Sequence, residues 1–146
     1  MNLFNYLMGN TPSIRKVNFE DVQRIQNKSI KGLLINTLSA DFQSCLINGT
    51  VPISQEEKII NELISKNPET YVVVYGKNSN DESIYKKYKQ LCDLGFSNVH
   101  LYIGGMFEWL LMQDIYGNDD FKTTQEELDI LKYKPQNALS NSLMTF

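Results

Sequence analysis

The sequence is poor in the residues that build metal and redox sites. It holds two cysteines and one histidine in 146 residues. Cys45 and Cys92 lie far apart and neither belongs to a CxxC pair, and His100 stands alone, so no structural zinc set can be assembled and no cofactor is called for. It is also short of basic charge: 14 Lys and Arg stand against 17 Asp and Glu, a net charge of −3. That excludes the concentrated positive surface of a nucleic-acid binder. Lys86, Lys87 and Lys89 are spaced among tyrosines and read as a solvated helix face. No apolar run approaches the roughly 20 residues that cross a bilayer. Leu3, Phe4, Tyr6, Leu7 and Met8, interrupted by Asn5, are too few for a signal-peptide core. Two thiols without such a signal fit a reducing, cytoplasmic setting. No internal repeat and no low-complexity segment is present.

What the chain does have is apolar content, 42% of residues, ample for one packed domain. The expected organisation is an N-terminal arm over 1–13, a domain with a helical extension over 14–134, and a tail over 135–146. In the arm, Leu3, Phe4, Leu7 and Met8 can form one apolar face. Gly9 to Ser13 reads as a flexible linker, although a translation start at Met8 would put Gly9 at a myristoylation position.

Periodicity then sets out alternating elements. Ile14 to Val17 reads as a short strand, and Asn18 with Asp21 as a capping box for a helix burying Phe19, Val22 and Ile25. Gly32 to Leu38, apolar on both faces, reads as a central parallel strand. Ser39 to Leu46 begins with a short helical turn. Gly49 to Ile53 reads as a short or edge strand because Pro52 cannot donate to a ladder. Ser54 to Glu57 has the form of a capping box before a stripe of Ile59, Ile60, Leu63 and Ile64. Tyr71 to Tyr75 is the clearest strand. Asn80 or Asp81 can cap a helix over 82–93 that ends at Gly95, followed by a strand over 98–103 and an apolar helix over 106–112. Thr123 to Glu126 predicts a last helix through Leu131. The order implies an α/β fold: a mainly parallel sheet of about five strands with helices on both faces.

Several pieces, in order, resemble the rhodanese-like domain over roughly Val17 to Leu111. Leu34-Ile35-Asn36-Thr37 is similar to the family's apolar strand ending in aspartate. Leu46 to Ile53 is similar to its "H-I-x-G-A-x-x-I" stretch, and Val72 to Tyr75 to the strand feeding its active-site loop. Leu94-Gly95-Phe96-Ser97-Asn98-Val99, then Gly104-Gly105 and Trp109, resembles its "G-F-x-N-V … G-G-x-x-x-W" run. The run Gly105 to Leu111 and the Asn/Ile/Lys-rich composition also resemble versions found in large DNA viruses and some protists, which extends the expected location to host cytoplasm or virion.

The resemblance implies a nucleophilic cysteine directly after the third strand, on a loop whose N–H groups and helix N-terminus favour a thiolate or an oxyanion. Phosphatases of the same fold use Cys and Arg on a longer loop. Here the loop is Gly76-Lys77-Asn78-Ser79-Asn80-Asp81-Glu82-Ser83, without Cys or Arg, and the family's strand-end Asp and following Arg correspond to Asn36 and Leu38. Asp81 and Glu82 would repel an anion unless they face away as helix-start charges. Lys77, Asn78, Ser79 and Asn80 could still form an anion nest, against the plainer reading of a strand-to-helix turn. Cys45, before Gly49, is the alternative reactive thiol for a sulfurtransferase or thiol-dependent phosphatase relative. Cys92 reads as a core thiol, and a Ser79 or Ser83 pairing with His100 is disfavoured by His100 lying on a strand that leads away. The expectation is therefore a catalytically inactive interaction or scaffold module with no catalytic residue. Its partner would be an unidentified protein, with self-association as an alternative. Its contact features would be the loop, the arm and the extension over 116–133, while Phe107, Trp109 and Leu110 read as core.

Overall fold

The computed structural model describes residues 13–139; the expected arm over 1–13, apart from Ser13, and the last part of the tail lie outside them. Four strands, β1 (Lys16–Val17), β2 (Gly32–Asn36), β3 (Tyr71–Tyr75) and β4 (Val99–Tyr102), form one sheet in the order β1-β4-β3-β2. All pairings are parallel, with Asn36 beside Tyr75 and Tyr75 beside Tyr102. Four helices connect and cover them: α1 (Phe19–Gln26), α2 (Ile53–Lys66), α3 (Ser83–Leu94) and α4 (Gly105–Tyr116). Short 3₁₀ turns stand at Ala40–Phe42 and Ile130–Tyr133.

The period-two alternation of the strands sorts their side chains into two cores. Val73, Tyr75, Leu34 and Tyr102 face one side, with Val22 of α1 and Met106, Trp109 and Leu110 of α4. Val72, Val74, Ile35 and Leu101 face the other, with Ile60 of α2 and Ile84, Tyr88 and Leu91 of α3. Trp109 is fully buried, edge-on to Phe121 at 5.0 Å and to Tyr102 at 6.4 Å. The α/β architecture with helices on both faces is thus as expected.

Local signals hold where nothing competes with them. Asn18 Oδ1 accepts from the amides of Glu20 and Asp21, while Asp21 Oδ2 accepts from the Asn18 amide, so both halves of the capping box form. Gly95 closes α3 in the left-handed conformation.

Four details differ from expectation. The sheet has four strands rather than about five: the segment around Thr50 makes a single bridge to Leu34, and the Val51 amide donates to Leu34 O before Pro52, which has no N–H, ends the pairing. In consequence β2 ends the sheet, although Leu34 and Ile35 do enter opposite cores. Helix α2 starts at Ile53 behind Pro52, which puts Ser54 inside the first turn, and no side chain caps it. No helix starts at Thr123. The Thr124 amide and hydroxyl bond Leu46 O and Leu46 N at 2.8 and 3.0 Å, and Thr123 pairs with Ile47 in an antiparallel bridge. The extension is therefore pinned open along 46–48 and makes only the 3₁₀ turn at Ile130–Tyr133. Among the described residues no helix is long and apolar enough to cross a membrane.

Candidate functional site

Strands β2 and β3 finish side by side, and the Thr37 amide donates to Tyr75 O at 3.0 Å across their ends. The chain leaves β3 through Gly76 and reaches α3 at Ser83. The loop is tied below to α4: Gly76 O accepts from the Met106 amide at 3.0 Å, and Lys77 O from the Phe107 amide at 2.9 Å. This approach requires glycine at 105. Its φ is +64°, and a Cβ there would stand 2.6 Å from Gly76 O.

Inside the loop the acceptor is the chain's own carboxylate. Asp81 Oδ2 accepts from the Lys77 amide at 2.8 Å, and Oδ1 from the Ser83 amide at 3.0 Å and the Ser83 hydroxyl at 2.6 Å. Asn78 Oδ1 accepts from the Asn80 amide at 2.9 Å, and Asn78 O from the Asp81 amide at 3.1 Å. Four loop amides are thus already paired. The Asp81 carboxylate fits because residue 76 lacks a side chain: a Cβ there would lie 2.4 Å from Asp81 Oδ2 and 2.9 Å from Ile84 Cγ2. Of the two helix-start acids, Asp81 turns into the loop, whereas Glu82 is exposed.

The surroundings are polar and held in place. Asn36 is buried, and its Oδ1 accepts from the Leu38 amide at 3.0 Å and Gln43 Nε2 at 2.7 Å, so it holds the turn leaving β2. Asn78 is buried, and its Nδ2 donates to Tyr133 O at 2.8 Å, which fastens the extension to the loop. An open cleft of about 600 Å³ lies over the loop between Thr37, Phe42, Lys77, Asn80 and Lys134. Lys77 Nζ stands 4.6 Å from the centre of the Phe42 ring. Ser79 is exposed, and Ser83 Oγ lies 2.7 Å from Thr37 Oγ1.

The thiols and the histidine lie elsewhere. Cys45 is buried beneath the extension, its Sγ donating to Gln125 O at 3.2 Å; burial pushes its pKa up, and the Thr123 hydroxyl only partly offsets this. Cys92 is half-buried on α3, and burial together with the Asp93 carboxylate raises its pKa as well. Neither thiol has the lowered pKa of a poised nucleophile. His100 leans on Tyr71 at 5.9 Å, at the opposite end of β3 from the loop, and burial lowers its pKa. Ser79, Ser83 and His100 are therefore not brought together. Among the described residues no cluster of His, Cys, Asp and Glu could hold a metal. Sequence reasoning missed the inward turn of Asp81 and the buried role of Asn78. The signal for the first was the glycine at 76, which leaves room for the Asp81 carboxylate; Asn78 is buried by its bond to Tyr133 O, 55 positions away, which no local pattern marks.

No curated protein matches the chain. Among solved structures it is similar to Ygr203w, a yeast protein tyrosine phosphatase of the Rhodanese family, with 13% identity and a TM-score of 0.56 over 83% of this chain and 99% of that one. It is similar to the Alr3790 protein of Anabaena sp. with 18% identity and a TM-score of 0.51, over 69% of this chain and 88% of the other. It is also similar to a thiosulfate sulfurtransferase from Pseudomonas aeruginosa with 24% identity and a TM-score of 0.52, over 67% of this chain but only 19% of that larger one. At these identities the likenesses show a shared fold. The family model of the Rhodanese-like domain matches residues 21–112, which run from within α1, through β2, β3 and β4, into α4. Strands β2, β3 and β4, the loop between β3 and α3, and helices α2 and α3 fall wholly inside that match, and the chain belongs to the rhodanese-like domain family.

Proposed function

We propose that this chain is a catalytically silent rhodanese-like module that works as an interaction or scaffold protein. The observation that carries the reading is the pairing of Asp81 with the loop. Gly76 stands where the family resemblance implies the nucleophilic cysteine, and a carboxylate takes the Lys77 and Ser83 amides. A negative charge at that point opposes a persulfide or phosphoryl group through like-charge repulsion and competes with it for the same donors. The sulfurtransferase and phosphatase named among the structural relatives supply the reactions against which silence is judged. The burial and raised pKa of Cys45 count against its acting as a substitute nucleophile. Two thiols not bonded to each other suit a reducing, cytoplasmic setting.

The test is a pair of assays on the purified chain, thiosulfate-to-cyanide sulfur transfer and aryl phosphate hydrolysis, with Cys45→Ser and Cys92→Ser alongside. Turnover equal to a protein-free blank is the expected result. Turnover that wild type shows and Cys45→Ser loses would make the chain an enzyme with a displaced nucleophile and end the scaffold reading.

A further inference from the structure

The segment from Leu111 to Leu139 differs in surface character from the rest of the domain. Of nine exposed large hydrophobic residues among the described residues, six fall in it: Leu111, Ile115, Tyr116, Leu128, Leu131 and Leu139. Leu128 is 83% exposed. The same segment carries six carboxylates and three lysines, so it accounts for the whole net charge of −3. Scattered single exposed apolar residues need no explanation, but a concentration within an acidic frame does.

The geometry joins the two properties. A groove of about 560 Å³ runs between α4 and the extension, with Leu110, Ile130 and Leu128 among its apolar lining and Asp114, Glu126 and Glu127 as its carboxylates. Among the described residues no lysine or arginine lines it. Glu127 is paired with Lys132, whose hydrogen bond holds the carboxyl below its usual range, whereas Asp114 and Glu126 have no ion pair among the described residues. On α4, Leu111 and Asp114 are three residues apart and Leu111 and Ile115 four apart, which puts an apolar ridge beside the groove acid. The extension is held at both ends, by the bonds between Thr124 and Leu46 and by the one that Asn78 Nδ2 donates to Tyr133 O.

We propose that the groove between α4 and the extension is a docking site for an amphipathic helix of a partner protein, with apolar anchors and flanking lysine or arginine residues. Leucine-like anchors would cover the ridge and the Leu128 rim, and basic side chains would meet Asp114 and Glu126. Ridge-into-groove packing and charge complementarity then act on one surface. The site is separate from the loop and stands whether or not the loop is catalytically silent.

Fluorescence anisotropy tests it with a labelled leucine/lysine amphipathic peptide about 18 residues (five turns) long. Two controls are a leucine/glutamate peptide of the same spacing and a leucine/lysine peptide of scrambled spacing. The wild-type chain is expected to bind the first peptide at least about tenfold tighter than either control. Asp114→Lys with Glu126→Lys, and separately Leu128→Ser, are each expected to weaken it about tenfold, while Lys77→Glu at the loop leaves it unchanged. All substituted groove residues are exposed, and near-UV circular dichroism of buried Trp109 verifies that each variant is folded. Equal binding of the three peptides, or unchanged binding by both groove variants, overturns the proposal. So does a concentration-dependent dimer that Leu128→Ser dissociates, since the occupant would then be a second copy of the chain.

Discussion

Asp81 reaches back across the loop to the amide of Lys77, 2.8 Å from its nitrogen, and the same carboxylate accepts from Ser83 at the start of α3. One side chain therefore joins the end of β3 to the start of a helix and satisfies both with a charge. Replacing it is expected to do two things. Asp81→Ala removes three hydrogen bonds at a half-buried site and lowers stability by about 1–3 kcal/mol. It also frees the loop donors, so sulfate or thiosulfate should raise the melting temperature of the variant and leave wild type unmoved. A wild-type protein that gains as much from sulfate as the variant would show that the carboxylate does not fill the loop.

Restoring the family's thiol by a single change is expected to fail. A Cβ at 76 meets Asp81 Oδ2 at 2.4 Å and Ile84 Cγ2 at 2.9 Å, so Gly76→Cys must push the carboxylate or the core aside at a cost of about 1–3 kcal/mol. The new thiol would sit beside a carboxylate, which raises its pKa and disfavours the thiolate. Thiosulfate-to-cyanide assays on Gly76→Cys should match the wild-type background. Pairing it with Asp81→Ala relieves both obstacles, so any sulfur transfer is expected to emerge only in that double variant.

How much of this was legible in the residues depends on where each segment's hydrogen bonds go. The Tyr71–Tyr75 run, the Asn18 capping box and Gly95 behave as their local chemistry dictates, because no tertiary partner competes for them. The Ser54 and Thr123 boxes have the same local form and fail for different reasons. Behind its N-cap Pro52, α2 starts at Ile53, one residue before Ser54, and Thr124 is bonded to Leu46, a residue 78 positions earlier. The absence of a loop cysteine is plain from sequence. The direction of Asp81 is not, because an acid two residues before a helix serves equally as an outward dipole charge or an inward acceptor. The space left by Gly76 is what admits the inward one.

Cys45 is expected to be unreactive in the folded protein. Its Sγ is buried against Gln125 O, and burial first, then the Glu127 carboxylate, raise its pKa against the opposing Thr123 hydrogen bond. At pH 8, iodoacetamide followed by mass mapping should modify half-buried Cys92 ahead of Cys45, with Cys45 reacting only as the domain opens. The linkage has a definite sign. A thiol whose folded pKa lies above its unfolded value adds stability that is complete below the unfolded pKa and is lost as pH rises through the folded one. Raising the pH above about 9 should therefore lower stability, and Cys45→Ala should flatten part of that decline. Faster labelling of Cys45 than of Cys92 would revive it as a candidate nucleophile.

The sharpest structural demand of the fold falls on Gly105. It combines a φ of +64° with a would-be Cβ 2.6 Å from Gly76 O and 3.1 Å from the Asn78 amide nitrogen. These atoms are backbone and cannot step aside as a flexible side chain does. Gly105→Ala must therefore strain the left-handed residue and also lift the loop off α4, stretching the bonds from Met106 and Phe107 to Gly76 O and Lys77 O. Together these effects are expected to cost about 2–4 kcal/mol in urea denaturation. Hydrogen exchange separates them: the Met106 and Phe107 amides should lose protection in the folded variant, while the β2–β3 ladder from Gly32 to Asn36 keeps it. A full loss of protection across both would mean that Gly105 supports the whole domain rather than the seating of the loop. Loss in the loop contacts alone would establish that α4, through one glycine, sets where the loop's carbonyls rest and hence the space in which Asp81 turns inward.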